Sequence, residues 1–219
     1  MRRVITSCHP EPRRRRRIPR IRSEKHSLAG DSSPSARLGM TLVLALLLTG
    51  CGFLSRTKSS FYSLEHIAPT TAVAAVRGVP IAIDSIEMPP GFDRKDIVAR
   101  KANHQLEVRG TEQWTASLEP MVLHTLAFDL ASRLPEGMVI LPGQLKPAGA
   151  TRSISVVFGE FAAGPESNVT LDARWTLNNV AHSERIELPI ASLDSANIAD
   201  GFSRALAQLA DRMAAQLSP

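Results

Sequence analysis

A short apolar run, Thr41-Leu42-Val43-Leu44-Ala45-Leu46-Leu47-Leu48, is closed by Thr49-Gly50-Cys51, and it divides this chain in two. Residues 40–50 are apolar or small, and they are too few for a bilayer-spanning helix, which needs about 20. The run therefore reads as the hydrophobic region of an export signal rather than a stable anchor. Upstream, residues 1–39 hold 11 Lys/Arg against 3 Asp/Glu, including Arg13-Arg14-Arg15-Arg16-Arg17, with little periodicity. A stretch of that kind cannot bury enough apolar surface to fold. It reads as a basic extension or as the product of a start placed too early. The information for a fold must lie downstream of Cys51.

The tetrapeptide Leu48-Thr49-Gly50-Cys51 resembles the lipobox of bacterial lipoproteins. In that motif the cysteine is acylated, with chains such as palmitate, and becomes the first mature residue. More than one acyl chain is enough for stable anchoring. Gly52, where an aspartate would favour the inner membrane, points to the outer membrane. The other cysteine, Cys8, lies in the segment expected to be removed. The mature part would then have neither a free thiol nor a disulfide, as suits a periplasm-facing domain held by its core. The formal charge of +5 is uneven. Beyond residue 51 there are 15 basic and 18 acidic residues, a net of −3, which excludes a nucleic-acid footprint. The expected organisation is a basic extension at 1–39, a signal region with lipobox at 40–50, a lipidated tether at 51–60 and one domain at 61–219. A hydrophobic content of 43% supports a core of that size.

Within the domain, Phe61-Tyr62-Ser63-Leu64 reads as a brief strand, and 70–77 as a loop. Pro80 to Met88 alternates like a half-buried strand, and Pro89-Pro90-Gly91 stops it. Asp96 to Arg100 and Gln105 to Arg109 predict two short strands. A helix is expected over Gln113–Leu134, with Leu123, Leu126, Ala127, Leu130 and Leu134 as its main apolar stripe. Leu118, Val122, Thr125 and Asp129 form a second line along it. Pro120 is tolerated only in a first turn, so the regular helix starts near Glu119. Met138–Leu141, Arg152–Phe161, Val169–Leu177 and Ser183–Leu188 predict strands, the last three as an antiparallel meander. Ile198, Phe202, Leu206, Leu209, Met213 and Leu217 predict a helix over Ser195–Leu217, capped by Asp194 or Ser195. The fold class is α/β (α+β), a two-layer sandwich with a mostly antiparallel sheet and two long helices on one face.

Motifs for chemistry are sparse. The chain has no G-x-S-x-G elbow and no glycine loop for phosphate. His66, His104, His124 and His182 lie far apart in sequence, so no catalytic residue, metal site or cofactor is expected. Asn168-Val169-Thr170 matches a glycosylation sequon and reads as a turn into a strand. Asp93-Arg94-Lys95-Asp96 is the densest charge cluster of the domain. It can pair locally on a solvated loop or meet a partner protein. Trp114 can cover the start of the first helix or anchor an interface, and Trp175 reads as core.

The order of these segments resembles the ABC-type transport auxiliary lipoprotein family. The lipobox, the Phe61-Tyr62-Ser63-Leu64 strand, the passage from Val79 through Pro89-Pro90-Gly91-Phe92-Asp93-Arg94 to Ile97-Val98-Ala99-Arg100, and Trp114 with Leu118 before a helix ending in Leu134-Pro135 carry the resemblance. It covers about Cys51 to Leu134 with motifs and the rest by element order. Gly91-Phe92 stands where the family tends to have Tyr-Leu, and Thr115-Ala116-Ser117 replaces the usual segment after the Trp. The resemblance implies a non-enzymatic, lipid-anchored partner of an MCE-domain protein and an ABC permease and ATPase, working in lipid transport across the cell envelope. Asp93, Arg94 and Trp114 would be the partner contacts, and a homo-oligomer is compatible with it. A different lipoprotein class, the plug of a lipopolysaccharide-export barrel, would share the same α/β build.

Overall fold

The computed structural model describes residues 58–69, 78–147, 149, 151–177 and 179–217. These fall within one compact unit, Arg56–Pro219. Eight strands form one sheet: β1 (Ser60–Tyr62), β2 (Ile81–Glu87), β3 (Asp96–Arg100), β4 (Leu106–Trp114), β5 (Val139–Ile140), β6 (Arg152–Gly164), β7 (Asn168–Leu177) and β8 (Val180–Pro189). Two helices, α1 (Leu118–Arg133) and α2 (Ser195–Leu217), complete the two-layer α/β build. Among the described residues no helix is long and apolar enough to cross a membrane.

The sheet is organised around β6. Its two halves serve different partners on one edge. Its first half pairs with β2 from Ile81↔Arg152 to Glu87↔Val157, and its last turn of pleat pairs with β3 at Ala99↔Ala163, both parallel. So β2 and β3 follow one another along the same edge, with the bend Met88–Lys95 between them. Along its other edge β6 meets β7, which meets β8, in two long antiparallel ladders. That is the expected meander. The remaining order is β1-β4-β3 on one side and β5 beside β2 on the other. The long ladders are antiparallel, and the parallel pairings of β1, β2, β3 and β5 are shorter, so the sheet is mixed.

A bulge decides which aromatics reach the core. Strict alternation along β6 would put Phe158 and Phe161 on opposite faces. The register instead slips between Phe158↔Ala173 and Glu160↔Asp172, and the extra residue turns both rings inward. There Phe158 meets Phe161 edge-on at 5.3 Å, and Phe161 meets Phe202 of α2 at 4.3 Å. A second slip between Ile83 and Ser85 brings both Ile83 and Ile86 into the core. Gly201 lets α2 sit close on the sheet. A Cβ there would stand 2.6 Å from Ile190 Cγ2 and 2.9 Å from Val169 Cγ1.

The second helix spans Ser195–Leu217 as expected, and the first starts at Leu118, next to the Glu119 start that Pro120 implied and not at Gln113. Gln113 and Trp114 belong to β4, not to α1, because Trp114 N–H is claimed by the carbonyl of Lys95 at 2.6 Å. Helix α1 begins at Leu118, which leaves Pro120 in the first turn where its missing N–H costs nothing. Ser117 occupies the cap position without a side-chain cap bond. Asp93 takes over from 26 residues away, accepting from Glu119 N–H at 3.0 Å. Helix α2 is capped locally, with Asp194 Oδ1 accepting from Asn197 N–H at 2.8 Å. The bonds of Asp194 to Ser192 and to the Asn197 amide hold its carboxyl below the ordinary range.

Candidate docking surface and the strap beside it

The bend after β2 is built by its own sequence. Pro89 and Pro90 open a turn, Gly91 takes φ +87°, and Phe92 N–H donates to Pro89 carbonyl at 3.1 Å. This is the geometry in which proline leads and glycine must follow. The turn folds Phe92 onto the sheet face away from the helices, where it packs with Val98 and Ala162 in a small core of its own. Leu106 lies against the turn at Gly91. Leu106, Val108 and Val157 remain exposed on that outer face. A row of ion pairs crosses it: Arg100 with Glu160 at 2.5 Å, Arg185 with Glu160 at 3.2 Å and Arg185 with Glu187 at 2.7 Å.

The residues singled out from the sequence part company here. Cys51, Leu48, Thr49 and Gly50 lie outside the described residues. Asp93 and Arg94 are exposed at the tip of the bend, with Arg94 Nε only 3.7 Å from Asp96 Oδ2. Asp93 is also the distant cap of α1, so it serves the fold whatever else it meets. Trp114 corrects the expectation of an interface anchor. It is 2% exposed and packs toward Phe202 at 6.2 Å, so it is a core residue covering the start of α1. The composition made it conspicuous, but its place as the last inward residue of β4 was hidden by assigning it to the helix.

Two of the four scattered histidines converge. His66 and His124 flank Phe128, with ring centroids 6.2 and 4.6 Å from it. They line a cleft of about 390 Å³ with Leu64, Glu65 and Thr125. A neighbouring cleft of about 300 Å³ continues along α1 past Met121 and Pro120. His182 instead stacks on Trp175 at 5.3 Å, and His104 sits at φ +63° in the β3–β4 turn. Among the described residues no group of three or more His, Cys, Asp or Glu side chains could hold a metal ion.

The segment between β1 and Pro69 forms a strap that sequence reasoning missed beyond its first residues. From Tyr62, whose carbonyl accepts from Thr115 N–H at 2.9 Å, it runs onto both helices. Glu65 N–H donates to Ser203 Oγ of α2 at 3.1 Å, and Ile67 N–H donates to Asp129 Oδ1 of α1 at 2.7 Å. Arg133 Nη1 donates to Ile67 carbonyl at 3.0 Å, and its Nε donates to Asp211 Oδ1 of α2 at 2.6 Å. Asp129 is 0% exposed and Arg133 4%. Burial pushes the Asp129 carboxyl up to about 6, against the opposing pull of the Ile67 amide, Arg133 and His66. The sequence signal was available: Thr125, Asp129 and Arg133 continue the buried line that starts at Leu118 and Val122.

With this geometry in place, comparison gives the family. The model of the family described as ABC-type transport auxiliary lipoprotein component matches residues 62–214. The chain belongs to this family. Its role is therefore that of an auxiliary component of ABC-type transport, and the family's lipoprotein character associates it with the cell envelope. No curated protein sequence matches the chain. Two solved structures share the fold. One, titled only as an uncharacterized protein, is 16% identical with a TM-score of 0.60, covering 74% of this chain and 99% of its own. The other, protein XCC0632 from Xanthomonas campestris, described under DUF330, is 13% identical with a TM-score of 0.56, covering 71% and 93%. At such identities the likeness is one of fold.

Proposed function

We propose that this chain is a non-catalytic lipoprotein of an MCE-type ABC system that moves lipid across the cell envelope. Cys51 is its acylated first mature residue, and Leu48-Thr49-Gly50 directs the cleavage. Residues 51–60 tether the family domain at 61–219 to the periplasmic face of the outer membrane. The observation that carries this reading is the family match over 62–214, standing directly downstream of the lipobox. Transport chemistry belongs to the permease and ATPase, and this domain supplies a contact to the membrane-anchored MCE protein. The outer sheet face suits that contact, because it combines exposed Leu106, Val108 and Val157 with the charged tip of the bend. Exposed apolar groups rimmed by charge are the usual make-up of a protein-binding patch. Anchoring confines the domain to one surface and raises its effective concentration there.

Co-purification of the full chain from its own membranes tests the reading. Capture of an MCE-domain protein is expected, and it should weaken when Arg94 is replaced by Glu, which reverses an exposed charge without touching the Asp93 cap. Capture of an outer-membrane β-barrel in its place would overturn the assignment. Cys51→Ser should leave an unprocessed precursor; a mature-sized, membrane-bound product would show that the lipobox is not used.

A further inference from the structure

The strap residues 63–69 have no regular secondary structure, yet they lie across both helices. Their hold on α1 is concentrated at one residue. Ile67 gives its N–H to Asp129 and its carbonyl to Arg133. The second oxygen of Asp129, Oδ2, is buried and has no hydrogen-bond partner among the described residues. Arg133 does not compensate it fully, since its nearest approach to Asp129 Oδ1 is 3.8 Å and its shorter ion pair goes to Asp211. An ionised carboxylate with an orphan oxygen is costly away from water, whereas the protonated form carries no charge to solvate. Lifting the strap would admit water to that carboxylate and remove the penalty.

We infer that Asp129 makes the strap a proton-controlled latch, seated while the carboxyl is protonated and shifted toward lifting once it ionises. The charged and titratable groups facing it are Arg133 on its own helix, His66 on the strap and Asp211 on α2. The Ile67 amide, Arg133 and His66 favour the ionised form, Asp211 opposes it, and burial outweighs them. The carboxyl sits at about 6 with the strap closed, against an ordinary value of 3.8 in water. The closed form therefore binds the proton more tightly. Its advantage is complete below the ordinary carboxylate range and is lost progressively from there until pH reaches about 6. The span between the two values limits the shift toward the open form to about 100-fold.

The latch has a structural consequence. A cleft of about 390 Å³ flanks the strap on the α1 side and one of about 350 Å³ on the α2 side. Lifting the strap joins them into a single groove between the helices and uncovers Leu64, which is buried in the closed form. Access to that groove would be greater at neutral pH than at mildly acidic pH.

Hydrogen exchange on the full chain, read by mass spectrometry at about pH 4 to 7 and corrected for the intrinsic pH dependence, tests the latch. The readout is protection of the fragment holding the Glu65 and Ile67 amides relative to one from the middle of α2. Protection should fall by up to about 100-fold between about pH 4 and 6 and level off above that, and the fall should vanish in Asp129→Asn. Constant protection in the wild-type chain, or the same fall in Asp129→Asn, overturns the proposal. Should that variant not fold, the wild-type chain decides alone. Protection must stop falling at the pH where the carboxyl-carbon signal shows Asp129 titrating, and a fall that continues well above that pH overturns the latch.

Discussion

The two helices lie side by side on the same sheet, but they are held there by different means. Helix α2 is self-sufficient. It caps itself through Asp194, presents one apolar stripe from Ile198 to Leu217, and reaches the sheet closely through Gly201. Helix α1 depends on remote parts of the chain. Its cap comes from Asp93 on the bend, and one of its buried lines carries Asp129 and Arg133, which are satisfied by the strap and by α2. A helix specified locally is legible and rigid. A helix specified from a distance gathers parts that can respond to one another.

Removing the remote support should hurt most. Arg133→Ala leaves the Asp129 carboxylate buried without its cation, an error that costs about 3–5 kcal/mol at neutral pH. The loss should shrink near pH 5, where Asp129 is protonated; an equal loss at both pH values in urea unfolding would dissolve the contrast between the helices. In the wild-type chain, the raised carboxyl means that the folded state holds a proton that the unfolded state has released between about 4 and 6. Stability should therefore fall as pH rises through that window, by up to about 3 kcal/mol, and Asp129→Asn should flatten the change. The lowered carboxyls of Asp84, Glu107 and Asp194 act oppositely, losing their contribution as pH falls below their depressed values. Asp84 and Asp194 are exposed and Glu107 is half-buried, so they weigh little.

Helix α2 should be most sensitive at its closest approach. Gly201→Ala drives a methyl group into Ile190 and Val169, both stiff β-branched side chains, and overpacking of this kind costs about 1–3 kcal/mol. That exceeds the gain of roughly 1 kcal/mol from helix propensity; a higher melting temperature would show that the helix can move away. The smallest effects belong to the caps. Asp194→Ala should cost about 1 kcal/mol. Asp93→Ala should cost less, because Asp93 accepts one exposed cap bond whereas Asp194 also holds Ser192 and the Asn197 side chain. A larger loss for Asp93 would reverse the ranking of local over distant capping.

The sequence exposed what repeats locally. The β6–β7–β8 meander follows from alternation, with Val169, Leu171, Ala173, Trp175 and Leu177 facing inward as expected. Helix α2 and its Asp194 cap follow from period and cap chemistry, and the Pro-Pro-Gly turn from backbone preference. What stayed hidden was set by contacts between distant residues. The parallel pairings of β2 and β3 with β6 have no local signature. The bulge at Gly159 is a shift in register that alternation cannot express. Gln113 and Trp114 fit a helical period as well as the end of a strand, so the sequence leaves Trp114 open between covering the helix start and anchoring an interface; its burial decides for the first. Asp129 was placed on its helix line, but a carboxylate on a polar-looking line reads as solvated until the strap is seen to cover it.

The parallel pairing of β1 with β4 has a mechanical meaning. Ser60, Phe61 and Tyr62 lie alongside Glu112, Gln113 and Trp114 at the sheet edge. A pull applied at Ser60 along the strand would act on β1 lengthwise, so its few ladder bonds would share the load in shear instead of parting one at a time like a zipper. Behind them stand the Tyr62–Thr115 bond and the Ile67 clasp, two further stops in series. If β1 gave way, those two stops would pass the load to the helix pair.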